Sequence, residues 1–165
     1  MAMQSLMITD LKRITALLFT ENSFDRFLLK SVQLSAQLSV TISGEKDPDF
    51  YAEEEREKEM QDAFVRYETV RPLLYSLIRG KRPPLSFRII LITDKNTTNR
   101  LKVKSGFTDC DVTSLSINLN YRSSQLVLST GVSYAGFSLD KSLEDAWEKA
   151  VRDFLDEKGV TYEVL

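Results

Sequence analysis

Over residues 31–43, apolar and polar side chains alternate without a break. Val32, Leu34, Ala36, Leu38, Val40 and Ile42 hold one phase, and Ser31, Gln33, Ser35, Gln37, Ser39, Thr41 and Ser43 hold the other. Successive side chains on a strand point to opposite faces, so this pattern predicts one long half-buried strand with hydroxyls and amides on its wet side. The same period returns over residues 114–121, with Leu115, Ile117, Leu119 and Tyr121 set against Ser116, Asn118 and Asn120. After a turn at Arg122-Ser123-Ser124, residues 125–139 place Leu126, Leu128, Val132 and Tyr134 in one phase, and Gly131 and Gly136 allow bends. Residues 85–93 are apolar in both phases, Phe87, Ile89 and Leu91 against Arg88, Ile90 and Ile92, which predicts a strand covered on both sides. Residues 160–165 add a short edge strand.

Helical spacing fills the gaps. Thr9 or Asp10 caps a helix with Leu11, Ile14, Leu17 and Leu18 on one stripe, stopping near Thr20. Ser23 then opens a short turn or helix holding Phe24, Phe27 and Leu28. Residues 45–49 read as a turn, and Phe50-Tyr51 as a brief returning strand. A longer helical pattern starts near Ala52, with Glu53, Glu54 and Glu55 in its first turn and Met60, Phe64 and Tyr67 as its stripe. Pro72 either kinks this helix or starts a second one that buries Leu74, Leu77 and Ile78 up to Gly80. Residues 94–105 predict a polar helix with only Leu101 and Val103 apolar, ended by Gly106. The last helix carries Leu143, Ala146, Trp147, Ala150, Val151, Phe154 and Leu155 in a continuous stripe ending at Gly159, with Trp147 as a core anchor. Adjoining strands without regular β-α-β alternation predict an α+β fold: a mainly antiparallel sheet, helices packed on one face, and a polar face on the other.

Composition narrows the chemistry. The chain has 165 residues, 42% of them hydrophobic, enough for one sizeable core and a single domain over 1–165. There is no histidine and one cysteine, so His-dependent triads and His- or Cys-based zinc sites are excluded within one chain. Cys110 stands between Asp109 and Asp111, whose negative charge disfavours a nucleophilic role. Glu53, Glu54, Glu57 and Asp62 are interleaved with Arg56 and Lys58 and read as a solvated face. No phosphate-binding glycine loop or nucleophile elbow occurs. The sequence therefore names no catalytic residue, no metal ligand and no cofactor. No apolar run of about 18 residues is present, and the stretch 1–5 lacks the basic and apolar regions of a signal peptide, so a cytoplasmic protein without membrane contact is expected.

Two surfaces stand out. On the polar sheet face, Gln33, Ser35, Gln37, Asn118 and Asn120 are candidates to hydrogen-bond a ligand at little desolvation cost, with Ser31, Ser39, Gln125, Ser129 and Ser133 beside them. The second surface is cationic. Between Arg66 and Lys104 lie ten basic residues and two acidic ones, a balance of +8 in a chain of net charge -2, so the remainder carries -10. Within this region Arg71, Arg79, Lys81, Arg82 and Arg88 are the anion-binding candidates, with a structural role or pairing to the acidic run 53–59 as the alternative. Phe107, Tyr121 and Tyr134 are available in principle to stack on bases.

The strings Phe24-Asp25-Arg26-Phe27-Leu28, Asp49-Phe50-Tyr51-Ala52-Glu53-Glu54, Arg71-Pro72, Gly80-Lys81-Arg82-Pro83-Pro84-Leu85-Ser86-Phe87 and Leu139-Asp140-Lys141-Ser142-Leu143 resemble those of an uncharacterised family of small, single-domain bacterial proteins. The resemblance implies a bacterial cytoplasmic domain and carries no activity with it. The functional expectation is a non-catalytic binding or interaction module for an anionic partner: nucleic acid, a phosphorylated ligand or an acidic protein. The alternatives are a histidine-independent enzyme or small-ligand protein with a site in a sheet-helix cleft, and a structural domain that self-associates through its long strand.

Overall fold

A computed structural model describes residues 2–165, with side chains described from Gln4 onward. Met1, part of the stretch read above for a leader, lies outside the described residues. Seven strands form one antiparallel sheet in the order β3-β2-β4-β5-β6-β1-β7. They are β1 (Ala2–Ile8), β2 (Leu28–Ser35), β3 (Ser39–Ser43), β4 (Ser86–Ile92), β5 (Val112–Arg122), β6 (Gln125–Tyr134) and β7 (Tyr162–Val164). The helices are α1 (Leu11–Thr15), which runs on into a π-helical turn at Ala16–Thr20, then α2 (Arg56–Glu59), α3 (Tyr67–Ile78), α4 (Lys95–Ser105) and α5 (Ser142–Glu157).

The alternating run 31–43 is a hairpin rather than one strand. Ser31 pairs with Ser43, Val32 with Ile42, Gln33 with Thr41, Leu34 with Val40 and Ser35 with Ser39, around a loop of Ala36, Gln37 and Leu38. A loop with an odd number of residues preserves the parity of the alternation, so apolar residues still face apolar ones and the period-2 pattern is the same for one strand or two. Ala36 and Leu38 leave the core phase as a result, and Leu38 is 61% exposed. Gly44 ends the hairpin where β2 bulges: a Cβ there would lie 1.8 Å from the Leu29 carbonyl oxygen, so only glycine fits this close approach.

One face of the sheet is buried from β2 to β1 and half-buried at β3. Leu34, Phe87, Leu119, Leu128 and Leu6 belong to it, with the π turn after α1 supplying Leu17 and Leu18, and α3 and α5 supplying Leu74, Trp147, Val151 and Leu155, from above. Trp147 is anchored as expected, its Nε1 donating to the Ser116 carbonyl at 2.9 Å. Asp10 caps α1 by accepting from the Arg13 amide at 3.0 Å. The π turn that follows is closed by the Glu21 amide on the Ala16 carbonyl. It leaves the Leu18 carbonyl to the hydroxyl of Tyr67, 2.8 Å away and buried at the start of α3; burial raises the Tyr67 pKa.

Several expectations are revised. The sequence pattern did not mark β1, whose mixed Met, Ser and Leu composition lacks clean alternation, yet β1 lies between β6 and β7. The predicted helix from Ala52 to Tyr67 is broken into a 3-10 turn at Glu53–Glu55 and the single turn α2, because its acidic and basic positions provide no face to bury. Phe50 and Tyr51 are no strand: Asp47 accepts from the Asp49 amide at 2.9 Å and closes a 3-10 turn at Pro48–Phe50 that leaves Phe50 exposed. Pro72 lies inside α3, neither at its start nor at its end, on an exposed side where the Glu68 carbonyl goes without its amide.

A bidentate ion pair ties α3 to the turn before β2. Arg71 donates through Nε and Nη2 to the two carboxylate oxygens of Asp25, at 2.7 and 3.0 Å, and this hydrogen bond holds the guanidinium pKa above its ordinary value. Asp25 is largely buried, so the pair is fixed structure. We expect Arg71→Met to lower the urea midpoint by an amount equivalent to about 2 kcal/mol, less than a fully buried pair would lose because Arg71 keeps some solvent contact. A second outcome concerns the β5–β6 turn, where Ser123 and Ser124 both have positive φ (53° and 62°). Ser123→Asn with Ser124→Gly suits that geometry and is expected to stabilise by about 1 kcal/mol, read as a higher midpoint in the same titration.

Candidate functional site

The face of the sheet away from the core is organised by register. One row across the strands reads Ser31, Ile90, Asn118, Ser129 and Ser5; the next reads Gln33, Arg88, Asn120, Val127 and Met7; a third reads Ser35, Ser86, Arg122 and Gln125. The structure thus brings Gln33, Ser35, Asn118 and Asn120 to one face, as the alternation predicted. Gln37 departs from it. It sits in the hairpin loop and lines a cleft with Arg79, Lys81 and Arg82.

This face is not flat. The chain between β3 and α3 leaves the sheet and returns, clamped where the Lys46 amide meets the Ala63 carbonyl (2.8 Å) and the Val65 amide meets the Gly44 carbonyl (2.9 Å). Lys46 Nζ also donates to the Glu59 carbonyl, closing the excursion on itself. Its returning arm sets Asp62, Ala63 and Phe64 beside Leu28 and walls a pocket of about 600 Å³. The floor is Ile90 and Ile92 of β4, Ser114, Ser116 and Asn118 of β5, and Ser129, Gly131 and Ser133 of β6; Lys30 and Lys95 stand among its lining residues. One side is therefore hydrocarbon and the other hydroxyl and amide. Asn118 Oδ1 is buried and has no hydrogen-bond partner among the described residues, an acceptor left unsatisfied in the lining.

Ile90 and Ile92 explain the doubly apolar pattern of β4. Ile92 is buried beneath the excursion's arm and Ile90 is half-buried, whereas Arg88, two residues further along, is exposed. A smaller recess of about 340 Å³ adjoins on the same face, lined by Gln33, Ser35, Thr41, Ser86, Arg88, Asn120 and Arg122. The sequence reading missed Lys30, Phe64 and Lys95. Ile90 and Ile92, apolar on an otherwise polar face, were the available signal that something covers this patch.

The cationic candidates divide. Arg71 is held by Asp25 and faces no ligand site. Arg79, Lys81 and Arg82 are exposed around the hairpin-tip cleft, and no ion pair is formed by them among the described residues. Arg88 lies on the sheet face. The polar and basic surfaces therefore meet at Arg88 and at the Gln37 loop. The aromatic candidates turn away from both: Phe107 is buried, Tyr121 stacks on Phe87 in the core layer, and Tyr134 donates to Glu144 of α5. Burial raises the Tyr134 pKa, and the bond to Glu144 adds to the effect.

Arg66 braces the pocket wall, pairing with Asp62 at 3.8 Å and with Asp94 at 3.1 Å and donating to the Arg26 carbonyl. Asp94 caps α4, whose first residue is Lys95, by accepting from the Thr97 amide at 2.8 Å. Desolvation works to raise the Asp94 pKa, but the Thr97 hydrogen bonds and Arg66 overcome it and hold the pKa below the ordinary 3.8. A depressed carboxylate stabilises the fold above its ordinary pKa, and that contribution is lost as pH falls through the lowered value. Asp94→Asn should cost about 1 kcal/mol at neutral pH, with the gap from the parent closing as denaturation is repeated at pH values below 3.8.

Among the described residues no group of acidic or sulfur side chains is arranged to hold a metal ion, and no helix is long and apolar enough to cross a membrane. No curated protein and no solved structure matches the chain. With this α+β fold in one antiparallel sheet, and a family model matching residues 17–163, the chain belongs to a family of unknown function, DUF5721.

Proposed function

We propose that this protein is a non-catalytic binding domain whose ligand is a small organic anion held in the pocket on the open sheet face. The observation that carries the reading is the pocket's divided lining: Leu28 and Phe64 with Ile90 and Ile92 offer a hydrocarbon side, and Ser116, Asn118 and Ser129 beside them on the floor offer donors and acceptors. Ligand sites typically combine a largely apolar wall with a few placed polar groups in clefts of this size. Lys30 and Lys95 give the lining two cations, and its one carboxylate, Asp62, is paired with Arg66. A carboxylate or phosphate on a compact apolar body matches this lining.

A single strand of nucleic acid is the poorer match. Binding to single strands draws on aromatic platforms for successive bases, and Phe107, Tyr121 and Tyr134 are turned into or against the core. Support for a bacterial cytoplasmic setting comes from the family-like strings and from a single cysteine, which permits no internal disulfide.

Ligand-observed NMR with sugar phosphates, nucleoside monophosphates and aryl carboxylates tests the reading. A binder is expected to lose about tenfold in affinity on Asn118→Ala and again on Ile90→Glu, which replaces hydrocarbon with a charge that repels the anion, and to be unaffected by Lys81→Glu with Arg82→Glu. No binder in these three classes, or binding lost only with the Lys81 and Arg82 changes, would refute it.

A further inference from the structure

The strand β3 forms one border of the sheet, and its hydrogen-bonded partner among the described residues is β2 alone. Half of the backbone amides and carbonyls of such a strand point outward, and natural edges are commonly blunted by lysine, proline, a bulge or extreme shortness. None of these protects β3. Its five residues, Ser39-Val40-Thr41-Ile42-Ser43, carry no charge and no proline, and their register with β2 is unbroken. The opposite border, β7, is shorter and carries Glu163.

Two further features identify what fits this edge. The segment is self-complementary about Thr41: a two-fold axis there sets Ser39 against Ser43 and Val40 against Ile42, each pair with its counterpart in kind. The faces agree as well. Val40 and Ile42 are half-buried on the core side, where they would extend the hydrocarbon layer, and the exposed Ser39, Thr41 and Ser43 would extend the polar one. The second feature is charge. An antiparallel two-fold brings the hairpin end of each copy beside the Gly44 end of the other. The hairpin end carries Arg79, Lys81 and Arg82, around Gln37, and the Gly44 end leads directly into Glu45 and Asp47, both exposed. Cations of one copy would then face carboxylates of the other, twice over.

We infer that β3 is a self-association edge: two copies of this chain pair β3 to β3 about Thr41 and join their sheets into one, with both open faces on the same side. The occupant is a second copy because the edge matches itself in sequence, in facing and in charge, which an unrelated extended peptide has no reason to do.

Sedimentation velocity across a wide concentration range tests this on the full chain. The parent is expected to shift from monomer to dimer mass as concentration rises. Thr41→Lys places two like charges directly across the axis and is expected to remain monomeric, as is Thr41→Glu, each keeping the parent's circular dichroism. Mixing the two variants is expected to restore the dimer, which a merely misfolded variant would not do. A parent that is monomeric at every concentration, or a dimer that survives Thr41→Lys, would overturn the inference.

Discussion

Everything in this fold follows from helices covering one side of an antiparallel sheet. With α1, α3 and α5 on the same face, each strand has to present hydrocarbon to that face and something else to the other, in a register that seven strands share. A slip of β5 by one residue against its neighbours would turn Leu115, Ile117 and Leu119 out and Ser116 and Asn118 in. The open face is thus an obligatory product of the buried one. Its rows of Ser, Asn and Gln are fixed in position by the core behind them, which makes that face a rigid platform.

What the sequence made legible is the part governed by this constraint. Alternation over 114–121 and 125–139 predicted which residues face the core and which share the open face, although the strand itself ends at Tyr134, and the helical stripe of α5 predicted Trp147 and its neighbours inside. What it left ambiguous is connectivity. The run 31–43 obeys the same parity whether straight or folded about Gln37, and nothing local distinguishes the two except Leu38, an apolar residue that becomes exposed at the tip. The segment 52–66 misled for a different reason. Its i, i+4 spacing of Met60 and Phe64 resembles a helix face, but Phe64 pairs with Glu45 in an isolated bridge and serves as a pocket wall. Tertiary contacts outweigh propensity where a helix has no stripe to bury.

The pocket was half legible. Its polar floor lies in the alternation, but its wall arrives from residues far away in sequence, and the only advance notice is that β4 carries Ile90 and Ile92 where its neighbours on that face carry serine and asparagine. The cationic surface was legible as composition and illegible as function. Arg71 is one of ten basic residues between Arg66 and Lys104, yet it is the one that Asp25 takes, because α3 lies across the turn that precedes β2.

That partition gives the charge distribution its meaning. Arg66 and Arg71 are spent on Asp62, Asp94 and Asp25, pairs that lock the excursion, α4 and α3 into place. Among the cations outside those pairs are Arg79, Lys81 and Arg82 at the hairpin tip, Lys30 and Lys95 at the pocket, and Arg88 and Arg122 on the open face, while acidic residues accumulate past the other end of β3. Screening over about 8 Å in physiological salt confines each cluster's influence to its immediate surroundings, so the near-zero net charge says nothing about what either end meets. Five residues of uncharged strand separate the two clusters, a span longer than that screening length, so they do not neutralise each other within one molecule.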